Sequence, residues 1–199
     1  IYALTEGMLK SLFAIAGIDV ATPFLRMTYA DAMERYGCDR PDLRYGLELR
    51  DVTVIFAESD FAIARNAIAA GGRVRGIVVP GGASLSRKQV DEIEAIAKSG
   101  GAGGLMRIKC VNGVVDGAPA KALSEAGRAA LGLADGDLML LVAAADHISN
   151  PSLDRVRQDV ARRLSLVPEG ANELVWVTDF PMFAVDADSG KLDAMHHPF

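Results

Sequence analysis

Arg73 to Gly101 reads RVRGIVVPGGASLSRKQVDEIEAIAKSGG, and this stretch decides the architecture. Arg73 to Val79 is rich in β-branched residues, the composition of a strand. Pro80-Gly81-Gly82 then turns the chain. Ser86 with Gln89 three positions on forms a capping box, and Val90, Ile93, Ile96 and Ala97 follow at helical spacing, so a helix is expected until Gly100-Gly101 closes it. A strand, a tight turn and an amphipathic helix in one run make the unit of a sheet with helices laid on it.

Working outward, Gly104 to Cys110 and Asp137 to Ala144 read as further strands, the second so uniformly apolar that a central place is expected. Between them Ala118 to Leu131 suits an Ala-rich helix. Val52 to Ala57 reads as a strand and Phe61 to Ala70 as a helix before Gly71-Gly72. Asn150-Pro151 places a capping residue before proline at the first helical position, with Leu153, Val156, Val160 and Leu164 on one face behind it. Nearer the N-terminus, Leu4, Met8, Leu12 and Ile15 make an apolar stripe along a helix over Ile1 to Ala16. Thr28 with Asp31 caps a second helix, Tyr29 to Tyr36, that Gly37 ends. Cys38 to Arg44 (CDRPDLR) has neither helical nor strand period and reads as a loop. Glu173 to Phe180 is a strand, and Met182 to Ala187 with Leu192 to Phe199 form a hairpin around the Gly190 turn.

Composition narrows the classes. Of 199 residues, 50% are apolar and 24% charged, near the globular averages of about 45–50% and about 25%, which argues against disorder. Lys+Arg 21 against Asp+Glu 26 gives a net charge of −5, so no bulk basic field draws the chain to nucleic acid and any RNA contact must be local. The longest apolar run, Leu138 to Ala145, is far short of the roughly 20 residues that span a bilayer, and a soluble chain without a membrane partner is expected. Cys38 and Cys110 frame neither a disulfide scaffold nor a zinc site. Opening on Ile1 and stopping at Phe199, the chain is expected to be an internal piece of a longer protein.

The chemistry-bearing motifs are few. Neither glycine cluster, Gly81-Gly82 nor Gly100 to Gly104, fits a phosphate loop, and no nucleophile elbow or metal-binding His spacing occurs. His196 and His197 are adjacent, so in an extended segment they face opposite ways; one can meet a ligand while the other packs. His147 suits a surface or capping role. Arg73 and Arg75 alternate to one strand face, while Arg87 and Lys88 start the helix beyond the PGG turn, a local cluster that suits tRNA phosphates.

Four segments, taken in order, resemble one family: RMTYADAMERYGCDRPDLRYGLEL (Arg26 to Leu49), VPGGASLSRKQVDEIE (Val79 to Glu94), WVTDFPMF (Trp176 to Phe183) and MHHPF (Met195 to Phe199). They are similar to bacterial-type aspartyl-tRNA synthetases, with Cys38 standing where that family usually has Ser. The resemblance implies an α+β fold: a GAD-type two-layer α/β insertion domain over residues 54–170, flanked by class II catalytic-domain segments at 1–53 and 171–199 that belong to an antiparallel sheet. It also implies a parent aspartate–tRNA ligase, cytoplasmic and homodimeric, using ATP and Mg, with tRNA, aspartate and ATP as partners. Residues binding ATP and Mg would lie largely outside this stretch, which should be inactive alone. By the same resemblance His196 contacts aspartate with His197 beside it. The competing reading is a stand-alone GAD-type tRNA-binding or interaction module, and the two flanks weigh against it, since such a module needs neither.

Overall fold

The computed structural model describes residues 1–185 and 190–195. In chain order its elements are α1 (Tyr2–Ile15), β1 (Leu25–Thr28), α2 (Tyr29–Tyr36), β2 (Arg50–Asp51), α3 (Thr53–Ala57), α4 (Ala62–Ala69), β3 (Arg73–Val79), a 3₁₀ turn (Gly82–Ser84), α5 (Arg87–Ser99), β4 (Met106–Val111), β5 (Val114–Asp116), α6 (Ala118–Lys121), α7 (Glu125–Ala130), β6 (Leu138–Ala144), α8 (Asp146–Arg163), β7 (Val175–Thr178), β8 (Phe183–Val185) and β9 (Leu192–Ala194).

Five strands pair in the order β2-β3-β6-β4-β5, every neighbour antiparallel, with the apolar run of β6 in the middle as its composition demands. Because strand side chains alternate, β6 feeds two cores. Leu138, Leu140 and Val142 join Ile77 and Val79 against Val90 and Ile93 of α5 and Leu153, Val156 and Val160 of α8. Met139 and Leu141 join Val74, Met106 and Ile108 against Phe56, Ala64, Ala120, Leu123 and Leu131. Each fully buried aliphatic side chain of this kind contributes about 1.5–3 kcal/mol. The sheet therefore has helices on both faces, three layers where two are expected, because a strand apolar on both sides needs cover on both. Gly76 is required at the β3–β6 contact: a Cβ there would lie 2.0 Å from the Leu140 carbonyl oxygen.

Local signals hold where capping chemistry sets them. Thr28 accepts from the Asp31 amide at 3.0 Å to open α2, and Ser86 with Gln89 forms the full capping box of α5. Three expectations are corrected. Val52 to Ala57 is not a strand: the Asp51 carboxylate accepts from the Thr53 amide at 2.8 Å and turns the chain into α3, leaving only Arg50–Asp51 in the sheet. Ala118 to Leu131 is two helices, because Ser124 accepts from the Gly127 amide at 3.1 Å and starts a new one. Helix α8 begins at Asp146 rather than at Pro151, which sits inside it; Asn150 is no cap, and its side chain is drawn away to Arg75.

The two flanks meet. β1 and β7 pair in parallel, Leu25 opposite Val175 and Thr28 opposite Thr178. Trp176 packs edge-on to Tyr2 with ring centroids 5.0 Å apart, and its indole N–H donates to the Glu6 carboxylate at 2.9 Å. The apolar stripe of α1 faces outward instead of into a core: Leu4 is 80% and Ile15 84% exposed, while Glu6 is buried. β8 and β9 form the expected hairpin, Phe183 opposite Ala194, and its outer ends at 186–187 and 196–199 lie outside the described residues.

Candidate functional site

His196 and His197 lie outside the described residues; the hairpin brings the chain as far as Met195, whose amide donates to the Met182 carbonyl at 3.0 Å. The other residues singled out from the sequence, Arg73, Arg75, Arg87 and Lys88, are described, and the structure divides them. Arg73 opens the seven-residue strand β3 and Arg87 lies beyond its other end, past the Gly82–Ser84 turn; the strand itself spans roughly 20 Å at about 3.3 Å per residue.

Arg73 and Arg75 are spent inside the fold. Arg73 binds Glu34 at 2.8 Å, Asp51 at 3.0 Å and Asp146 at 2.8 Å. The hydrogen bonds it donates to Glu34 and then to Asp146 hold its guanidinium still more firmly protonated than usual. Arg75 is 1% exposed; its two terminal nitrogens donate to the Asn150 side-chain oxygen and the Glu34 carbonyl. Burial pushes its pKa below the ordinary arginine value, and the neighbouring Arg73 charge adds to that. Burial alone would raise Asp51, but Thr53 hydrogen bonds and Arg73 hold its carboxyl below the usual range. The pair thus fixes α2 and the start of α8 to the end of the sheet, and the expected phosphate-binding face at Arg73 and Arg75 is corrected to a structural one.

A second buried arginine does the same for the loop before β2. Arg157 is 0% exposed. It donates to the carbonyls of Leu47 at 2.8 Å, Asp42 at 3.0 Å and Gly46 at 3.2 Å, and its guanidinium lies 4.8 Å from the ring centroids of both Tyr36 and Tyr45. Gly37 makes the α2–α8 contact possible: its φ is 74°, and a Cβ would come 2.7 Å from the Asn150 carbonyl oxygen. Beside this contact, burial raises the Cys38 thiol to about 12, with the Asp154 charge adding to the shift. It therefore lacks the lowered pKa of a reactive cysteine. Sequence reading missed Arg157, although its place on the Leu153–Val160 face was a signal: a cation on an apolar helix stripe needs acceptors.

The accessible basic residues converge elsewhere. Arg87 is 86% exposed and Lys88 is exposed beside it. Arg87 borders a cleft of about 310 Å³ whose wall includes Leu85, Arg107, Lys109, Asp116 and Leu138. Strand β4 alternates buried and exposed, turning Met106, Ile108 and Cys110 inward and Arg107 and Lys109 outward. Asp91, one turn into α5, reaches Arg107 at 3.2 Å and Arg87 at 3.9 Å. Sequence reading missed Arg107 and Lys109, although their alternation with Met106, Ile108 and Cys110 was a signal that both face outward on one side. His147 lies exposed in the first turn of α8, in keeping with a surface role.

Among the described residues no group of three His, Cys, Asp or Glu side chains could hold a metal ion, and no helix is long and apolar enough to cross a membrane. Residues 64–153 match the family model of the GAD domain. The chain is 41% identical to an aspartate–tRNA(Asp/Asn) ligase of Caldanaerobacter subterraneus subsp. tengcongensis, over 98% of the chain and 34% of that relative. It is 40% identical to the corresponding ligase of Natranaerobius thermophilus, over 98% of the chain and 34% of the relative. It is likewise 40% identical to an aspartate–tRNA ligase of Lactobacillus acidophilus, over 98% and 33%. The chain spans about a third of the length of the curated relatives it matches. With a GAD domain match at its centre and identity running through both flanks, the chain is similar over nearly its whole length to about a third of an aspartate–tRNA ligase.

Proposed function

We propose that the chain is part of an enzyme that joins aspartate to ATP, releasing pyrophosphate, and transfers the aspartyl group to the 3′ end of tRNA. The observation that supports this is the identity of about 40% across both flanks as well as the GAD match, to relatives that are aspartate–tRNA ligases. Such chemistry is dominated by positioning and charge stabilisation. On this reading the paired strands β1 and β7 and the β8–β9 hairpin belong to the catalytic unit, and residues 54–170 are the inserted unit. On the same reading His196, or His197 next to it in sequence, contacts the aspartate. No residue in this stretch is assigned as a catalytic base. ATP and Mg bind the parent protein through residues largely elsewhere in it, so no step is assigned to them through this chain. The parent is a cytoplasmic homodimer, and Arg87 with Lys88 meets tRNA phosphates.

Aspartate-dependent ATP–pyrophosphate exchange tests the reading. The parent-length enzyme is expected to exchange, and the 199-residue chain alone to stay at background. A parent without aspartate-dependent exchange refutes the ligase reading, and robust exchange by this chain alone refutes the assignment of ATP binding to other parts of the parent.

A further inference from the structure

We infer that the cleft between the Gly82–Ser84 turn and strands β4 and β5 binds a phosphate of an RNA backbone, with Arg107 and Lys109 as its main contacts. The inference rests on the ligase reading only for the identity of the RNA; the anion site follows from the geometry.

Arg107 and Lys109 project from the same side of β4, about 7 Å apart along the strand, close enough for one phosphate to touch both. Arg87 closes the third side from the first turn of α5. Asp91 lies within 4 Å of both guanidinia and aligns them without filling the cleft, of which it is not a wall. The one carboxylate in the wall, Asp116, is met by Lys121 at 3.6 Å, which offsets its charge. Lys109 stands opposite Asp116 in the β4–β5 register, and among the described residues it lies in no ion pair within 4 Å. The floor is apolar, with Val90 and Leu138 buried and Leu85 half-buried. A cationic rim over an apolar floor suits a nucleotide, whose phosphate is charged and whose ribose and base present flatter, less polar surfaces. In a chain of net charge −5 the cluster is a local inversion of sign, as a backbone contact at a defined point requires. At about 310 Å³ the cleft has room for one nucleotide unit and no more.

The test uses fluorescence anisotropy of the 199-residue chain with a labelled tRNA transcript across a salt series. Four proteins are compared: the chain as it stands, Arg107→Ala/Lys109→Ala, Arg87→Ala/Lys88→Ala, and Arg65→Ala as a change that removes one cation on α4, away from the cleft. The Arg107/Lys109 variant is expected to weaken binding about tenfold or more and to lower the salt slope by roughly 0.7–0.9, as loss of one neutralised phosphate requires. Arg65→Ala should change neither. Circular dichroism melts check that the variants are folded; an Arg107→Gln/Lys109→Gln pair serves if the alanine pair is not. Adenosine monophosphate, titrated separately, distinguishes the source of the phosphate. If the nucleotide alone binds in an Arg107- and Lys109-dependent way and the tRNA does not, the RNA assignment is overturned. If tRNA binds but is insensitive to Arg107 and Lys109, the cleft proposal fails while the ligase reading, which the exchange assay tests, is untouched.

Discussion

Replacing Arg157 with alanine should detach the loop before β2 from α8. The side chain is buried and donates to three carbonyl oxygens, those of Asp42, Gly46 and Leu47, between two tyrosine rings. Removing it leaves those acceptors without their donor and opens a space lined by Tyr36 and Tyr45. Breaking a buried charged network by deleting one partner costs about 3–5 kcal/mol, and each lost cation–ring contact lies within that sum at about 0.5–2 kcal/mol. For a chain of this size each kcal/mol lowers Tm by roughly 2–4 °C, so Arg157→Ala should lose roughly 6–20 °C. Arg157→Lys keeps the charge but not the planar fork, and one ammonium cannot reach all three carbonyls, so it should recover less than half of the loss. Thermal melts measure the size and amide hydrogen exchange the place: protection should fall first in residues 38–49 and in α2, with β6 losing only what the global change dictates. An Arg157→Ala melt within about 1 kcal/mol of the parent, or exchange rising evenly over the chain, would refute the argument that this arginine joins the flank to the inserted sheet.

In the parent-length enzyme, His196→Ala is expected to lower kcat/KM for aspartate by about 10- to 150-fold, the range for a hydrogen bond to a charged group, with Tm and ATP affinity little changed. His197→Ala is the comparison, and wild-type aspartate kinetics in both would remove the histidines from the site. The hydrogen bond from Arg35 holds the Glu48 carboxyl below its ordinary value although partial burial pulls it upward. A carboxylate depressed in the folded state stabilises above its unfolded pKa and loses that contribution as pH falls through the folded one. Glu48→Gln should therefore lower stability near neutrality and flatten the acid side of the profile, the two proteins converging as pH falls below about 4.5; a loss that appears only in acid would contradict the sign. Residues 55–170 expressed alone are expected to melt cooperatively but less stably than the whole chain, because they lose β2, Leu49 and every partner of Arg157. A product with no cooperative transition would show that the flank is part of the same core.

What the sequence alone determined is what is local. The caps at Thr28 and Ser86 were legible because donor and acceptor sit three residues apart, and the central place of β6 was legible because a run apolar on both faces has nowhere else to go. The likeness to aspartate–tRNA ligases was legible from segments of the flanks and the PGG turn. Val52 to Ala57 was misread for the reverse reason: a strand and a short capped helix use the same β-branched residues, and only the sheet at Val74 decides where the strand stops. Pro151 looked like a helix start until Asn150 proved to be engaged by Arg75, 75 positions away. The arginines show the limit most clearly. Arg73, Arg75, Arg87, Arg107 and Arg157 are one residue type in sequence, but Arg157 finds its acceptors up to 115 positions away and is buried, while Arg87 finds one weak partner a turn along its own helix and stays in solvent. A guanidinium is driven neither in nor out by its own chemistry; the acceptors that the folded chain gathers around it decide, and those are assembled only by tertiary structure.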